Sequence, residues 1–445
     1  MVMSPLWVDS GGGWTRRRFL RVSGLTAAGF LVGCATNPVT GRSQFMTVSE
    51  DEEIRIDRQF APRQFSEDFG TTQDAGLNAY VERVGRALAA RSHRPQMPFS
   101  FRVVNATYIN AYAFPGGSIA CTRGILLKLH NEAELAALLG HEIGHVSARH
   151  TAQQLSQGQL SNILVGGLSI LADLTAPGLG QVTSTLGGLG AGAFLASYSR
   201  DNEREADALG TAYSVRAGYS PEGMVGLMEI LNGLNKSRPN AIELMFSTHP
   251  MSEERYRTAV QTARGEYAGA RGNPLHRERF LDETARLRAI AGAVEEMQKG
   301  DAALGKKNYD QAETHFRAAL RQAPGDYAGL LSMARCMLLQ KKYAEGERYA
   351  REAISAYPQE AQGHFLSGVA ALQLRRFDAA LADFQAYRRI LPGNPTSVFF
   401  TGYAFEGLNR RSEAAQEYRR YLQQVRQGPY AQHAAQRLRE WGYLR

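Results

Sequence analysis

EAELAALLGHEIGHV, residues 132–146, is the stretch on which the fold turns. Leu135, Leu138, Leu139, Ile143 and Val146 recur at intervals of three and four residues, the period of an amphipathic helix. On such a helix His141 and His145 stand one turn apart, about 40° around the axis and about 6 Å along it, so both imidazoles reach one tetrahedral ion. Two neutral imidazoles and a carboxylate suit zinc and leave a fourth position for water. Glu142 adjoins a ligand without being one, which puts its carboxylate beside that water as a candidate general base and proton donor.

A third ligand should be an acid or histidine on another element. Residues 202–207, Asn-Glu-Arg-Glu-Ala-Asp, offer Glu-x-x-x-Asp in a helical setting. Glu203 is the candidate ligand, and Asp207, one turn on, is placed to accept the second N–H of a ligating histidine and fix its tautomer. Glu205 points elsewhere on that helix. His150 does not complete a metzincin motif: Ala148 stands where glycine is required and Thr151 where the third histidine falls. His150 therefore reads as structural.

Upstream, residues 99–127 are β-rich and read as a hairpin, with Phe101, Val103 and Val104 before Pro115-Gly116-Gly117 and with Ile119 and Cys121 after it. Downstream, residues 158–197 are apolar but repeatedly broken by glycine, which suits a buried helical pair or a flap better than a membrane span. Beyond residue 285 a repeat sets in. Tyr309, Tyr343 and Phe377 are spaced by 34 residues, as are Pro324, Pro358 and Pro392, while Gly300, Gly368 and Gly402 share a phase with Ala334. That period is the tetratricopeptide length, and each unit is a helical hairpin that buries its apolar face only against its neighbours. Ala312, Phe316 and Ala319 fill the small-aromatic-small positions, but Gly346 and Ala350 depart from them, and Arg411 replaces the aromatic of the fourth unit.

Composition is that of a globular protein, 44% hydrophobic and 21% charged, and 445 residues favour more than one core. The net charge of +8 includes +3 within residues 1–33 and no basic run elsewhere, which argues against nucleic acid as a partner. Arg16-Arg17-Arg18-Phe19-Leu20 followed by the apolar residues 22–32 has the parts of a twin-arginine export signal, and that segment is too short for a bilayer span of about 20 residues. Leu31-Val32-Gly33-Cys34 is similar to a lipobox, so Cys34 is the candidate lipidation site, and Ala35 carries no signal for inner-membrane retention. Cys121 and Cys336 read as buried thiols, although pairing between them is open in an oxidising compartment.

The export signal, residues 110–117 (Asn-Ala-Tyr-Ala-Phe-Pro-Gly-Gly), His-Glu-Ile-Gly-His, Glu203-x-x-x-Asp207, Ser247-Thr248-His249-Pro250 and the trailing repeats together resemble the BepA-type bacterial metallopeptidases, relatives of the HtpX and CAAX-processing peptidases. The resemblance implies an α+β fold: a mostly helical, gluzincin-like zincin domain with a small β-sheet, then an α-helical tetratricopeptide solenoid. It implies one Zn2+ per chain on His141, His145 and Glu203, with Glu142 as base and Asp207 behind the ligands. It makes His249 a switch ligand able to displace the water, Arg255 a candidate oxyanion stabiliser, and Asn110, Ala111, Tyr112 and Ala113 the edge strand on which an extended substrate pairs. The expected organisation is an export signal at 1–33, a lipidated tether at 34–44, a metallopeptidase domain at 45–267, a linker at 268–284, repeats at 285–428 and a capping segment at 429–445. The expected setting is the bacterial periplasm, lipid-anchored to a membrane, the outer rather than the inner. Expected partners are unfolded or envelope protein substrates and proteins held by the repeats.

Overall fold

The computed structural model describes residues 34–156, 198–237 and 240–444, so residues 1–33, read above as an export signal, and the glycine-rich stretch 158–197 lie outside the described residues. The architecture is α+β, helical for the most part. A ribbon pairs β1 (Cys34–Thr36) antiparallel with β2 (Ser43–Phe45). A second sheet contains β3 (Ser100–Val104), β4 (Ala111–Ala113) and β5 (Ser118–Thr122) in the order β3-β5-β4.

This sheet corrects the expected hairpin. Residues 100–104 do pair with 118–122, from Ser100 opposite Ser118 to Val104 opposite Thr122, but in parallel. The hairpin partner of β5 is β4, with Tyr112 opposite Ala120, and Pro115-Gly116-Gly117 turns between those two strands. The reason lies in residues 105–110. Asn105 Nδ2 donates to Phe69 O at 3.0 Å and Tyr108 O–H donates to Asp68 at 2.9 Å, which ties the excursion to the end of the helix Glu50–Glu67 before the chain returns as β4. Three residues, Ala-Tyr-Ala, are too few to announce a strand by alternation.

Glu132–Ala148, here the histidine helix, is capped by the Asn131 side chain, which accepts from Glu134 N, and every one of its residues is buried. It runs through a core containing Leu135, Leu138, Leu139 and Ile143 together with Val103 and Ile119 of the sheet. The segment read as a linker is not a free tether. It includes the helix Arg277–Glu283, where Phe280 is fully buried and Arg279 Nε donates to Glu132 at 2.6 Å, docking it on the start of the histidine helix.

The repeats form antiparallel helix pairs whose second members are Tyr309–Gln322, Tyr343–Ala356, Phe377–Ile390 and Arg411–Gln424. The turn inside each pair passes through a left-handed residue: Lys307, Lys341, Arg375 and Asn409, with φ of 58°, 62°, 57° and 59°, again 34 residues apart. Helix Pro429–Glu440 closes the array, with Trp441 stacked on Tyr418. Cys121 and Cys336 are free and buried. Among the described residues no helix is long and apolar enough to cross a membrane.

Candidate metal centre

Two helices build the centre. Against the histidine helix lies Arg200–Arg216, the carboxylate helix, started by a capping box in which Ser199 and Asn202 satisfy each other's backbone. The pair approaches backbone to backbone because the contact residues are small: a Cβ on Gly140 would lie 2.9 Å from Gly210 O, and one on Gly210 only 2.7 Å from His141 N. A larger residue at either glycine would push the carboxylates away from the histidines.

The approach brings Glu203 beneath both imidazoles. His141 Nε2 and His145 Nε2 are 3.0 Å apart, and Glu203 Oε1 and Oε2 lie 3.4 Å from His145 Nε2 and 3.6 Å from His141 Nε2. A fourth donor comes from the turn after the short helix Glu243–Thr248: His249 Nδ1 is 3.0 Å from Glu203 Oε1 and 3.4 Å from His141 Nε2. These four residues each offer a ligand atom within 4.8 Å of the others, and all four are buried. Glu142 faces the same space, its Oε1 3.9 Å from His249 Nε2, while its Oε2 is buried without a hydrogen-bond partner.

Behind the donors, Asp207 Oδ1 lies 2.9 Å from His141 Nδ1. Arg255, on the helix Glu253–Arg264, is buried rather than surface-paired: Nε and Nη2 donate to the two Asp207 oxygens, each at 2.7 Å, Nη1 lies 2.7 Å from Glu203 Oε2, and Nη1 also donates to Pro250 O. The guanidinium thus ties both acidic residues to the His249 turn. Tyr198 had no sequence signal. Its ring stacks on His145 at 3.8 Å and its N–H donates to Thr248 O at 2.9 Å, joining the start of the carboxylate helix to that turn.

Burial and charge divide the ionisable groups. Burial pushes the Glu142 carboxyl up, only partly offset by His249 and His141. Burial opposes the charged form of Glu203 too, but the neighbouring His249, His145 and His141 outweigh it and hold that carboxyl well below the usual range. Asp207 is likewise lowered, with Arg255 overcoming its burial. Burial keeps His145 neutral by driving its imidazole well below the ordinary value, whereas His249 is raised because Glu203 outweighs its burial.

The proposed substrate residues sit at the neighbouring sheet edge. β4 is a terminal strand, and Ala111, Tyr112 and Ala113 are buried in this conformation. Asn110 is fully buried, with neither Oδ1 nor Nδ2 hydrogen-bonded.

Residues 75–263 match the peptidase family M48, and residues 303–367, 340–395 and 365–431 match tetratricopeptide repeats. The chain is 27% identical over 423 residues to a beta-barrel assembly-enhancing protease of Yersinia pestis, covering 88% of this chain and 85% of that protein. It is 30% identical over 358 residues to the beta-barrel assembly-enhancing protease of Escherichia coli (strain K12), covering 75% and 71%. It is 29% identical over 248 residues to the mitochondrial metalloendopeptidase OMA1 of Schizosaccharomyces pombe, covering 54% and 71%. Shared sequence over most of both chains, around a buried cluster of histidines and a glutamate, makes this chain a metalloendopeptidase belonging to peptidase family M48, in the group that carries tetratricopeptide repeats.

Proposed function

We propose that this metallopeptidase is a zinc-dependent endopeptidase of the bacterial envelope, held latent by His249. The observation that carries this is the position of His249 Nδ1, within 3.4 Å of both His141 Nε2 and Glu203 Oε1. His141, His145 and Glu203 would hold one zinc ion per chain, and His249 stands close enough to compete with water for it. The donor set fits: two imidazoles and a carboxylate are a catalytic zinc triad, and the unpartnered Oε2 of Glu142 is an acceptor in need of a proton-bearing neighbour. Bound zinc supplies Lewis acidity to the scissile carbonyl and lowers the pKa of the attacking water.

The chain's own residues do the rest. Glu142 takes the proton from the water and returns it to the leaving nitrogen, a part suited to a carboxyl whose affinity for protons burial has raised. Asp207 holds His141 in the Nδ1–H tautomer. Arg255, with its donors committed to Asp207, Glu203 and Pro250, acts as a positioning residue and not as the oxyanion donor first expected. An extended substrate adds alongside β4, where the amide of Asn110 meets a peptide N–H and C=O. Leu244, one turn before His249, packs on the cluster containing Tyr112 and Phe114, so withdrawal of the His249 turn and exposure of the strand are coupled.

Relatives named for β-barrel assembly point to unfolded or misassembled envelope proteins as substrates, with the repeats holding protein partners. Cys34 would carry the lipid anchor, placing the enzyme in the periplasm on a membrane, the outer in preference to the inner. A second reading, a chaperone-like repeat protein whose peptidase stays shut, draws on the same position of His249.

The test uses the full chain, with bound metal and cleavage of an unfolded protein measured for wild type, Glu142→Gln and His249→Ala. One zinc per chain, activity abolished by Glu142→Gln and raised by His249→Ala are expected. Metal-free protein, or cleavage indifferent to Glu142, removes the enzyme mechanism; a zinc-loaded but inert His249→Ala leaves the chaperone reading. Cys34→Ser should abolish incorporation of a labelled fatty acid, and retained label would refute the anchor.

A further inference from the structure

His141 has an acidic partner behind it, Asp207, but His145 has a different one. His145 Nδ1 lies 2.9 Å from His150 Nδ1, and His150 Nε2 lies 3.2 Å from Glu205 Oε2. A continuous helix could not make the first contact, because positions five residues apart point about 140° away from each other. The contact exists because the histidine helix stops at Arg149, which adopts a left-handed φ of 61°, and a new helix, His150–Ser156, starts immediately. The reversal folds His150 back under His145.

This corner is held in place. Left-handed geometry at a non-glycine residue costs about 1 kcal/mol, and Arg149 meets that cost by anchoring its side chain: Nε donates to the fully buried Glu53 at 3.1 Å and Nη2 to Val48 O at 2.8 Å. Glu53 is gripped from the other side by Arg94, at 2.7 Å, whose Nη1 also donates to Val146 O at the last turn of the histidine helix. Two arginines, one buried glutamate and the helix end therefore form one block beneath His145.

The tautomers follow from the metal reading above, on which this inference rests. His145 must present a lone pair at Nε2, so its proton is on Nδ1 and is donated to His150. His150 Nδ1 must then be an acceptor, so the His150 proton is on Nε2 and is donated to Glu205. No other assignment satisfies both contacts while leaving His145 free to ligate. Stacking of Tyr198 fixes the plane of the His145 ring, and the relay fixes which nitrogen faces the metal position.

We propose that His150 and Glu205 are positioning residues of the metal centre, holding His145 in its ligating tautomer through an imidazole relay. Zinc affinity is the deciding readout, taken by competition against a chromophoric chelator on the full chain, with melting of the metal-free protein recorded alongside. His150→Leu should weaken zinc binding about 10–100-fold, with a smaller loss for Glu205→Ala, and His150→Gln, whose amide oxygen can accept the same N–H, should recover most of the affinity. Wild-type affinity in both His150→Leu and Glu205→Ala would overturn the proposal. Should His150→Leu not fold, Glu205→Ala decides alone, since that side chain is 31% exposed and its removal leaves the packing in place. A wild-type chain that takes up no zinc would sink the metal reading itself, and the relay with it.

Discussion

Glycine and aromatic residues are matched in three of the four repeats, one pair in each. A Cβ on Gly300 would lie 2.4 Å from Phe316, and one on Gly368 or Gly402 would lie 2.9 Å from Phe384 or Tyr418. Where the glycine is replaced by Ala334, the aromatic position holds Ala350, so the irregularity visible in the second unit is a compensated pair. Gly300→Ala is expected to destabilise the chain by up to about 2 kcal/mol, overpacking of about 1–3 kcal/mol being offset by a helix-propensity gain of about 1 kcal/mol. In a Phe316→Ala background the same substitution should turn stabilising, and urea unfolding of the four variants reads that change of sign. The pairing is legible in sequence only as a shared phase, since nothing there says which residue faces the glycine. The same limit applies at the centre. His141 and His145 are legible because four residues on a helix is a geometric statement, whereas the place of His150 depends on a left-handed Arg149 that no local pattern announces.

The helix Glu50–Glu67 and strand β4 meet at one carboxyl. Asp68, just past the helix, accepts from Tyr112 of β4, from Tyr108 at 2.9 Å and from Gln64 at 3.1 Å. Burial raises its pKa from 3.8 to about 6 despite those three donors. Because the folded value exceeds the unfolded one, the protonated form favours the native state, so stability is full below about 4 and declines as pH rises towards about 6. Relative to Asp68→Asn, which cannot ionise, the wild type should lose about 3 kcal/mol across that window and be flat above it. Chemical denaturation of both proteins between pH 4 and pH 7 measures the difference, and a rising difference would mean that Asp68 is bound as the anion. The contact also explains the limit of sequence reading at this level. Helices with a long apolar period were legible, but the pairing of β3, β4 and β5 is decided by where residues 105–110 are tied, a tertiary fact.

The two halves of the molecule are joined by polar contacts that converge on the elements around β4. Arg123, which follows β5, pairs with Asp326 at the start of a repeat helix and also donates to Asn105 O at 3.0 Å; both charged side chains are under 10% exposed. Ser66 donates to the buried Glu360, which Tyr327 also meets, Arg63 donates to Gly393 O at 2.6 Å, and Gln298 to Thr107 O at 2.6 Å. The helix Ala291–Gly305 and the loops between repeats therefore grip the end of the helix Glu50–Glu67, the 105–110 excursion and the short helix Arg123–Leu126 after β5, the elements that carry β4. Removing one partner of a buried ion pair costs about 3–5 kcal/mol, because the other charge is left without compensation. Asp326→Ala should then do more than lower the melting temperature: the array holds its own core from Ala293 to Leu438, so losing the docking contacts should split a single calorimetric transition into two. Protease cleavage between residues 268 and 290 should accelerate in parallel. Asp326→Ala combined with Arg123→Met, which removes the stranded charge, should recover most of the stability. A single transition with unchanged midpoint in Asp326→Ala would mean that the interface is held by apolar contact alone, and that repeats and peptidase edge are not mechanically coupled through these charges.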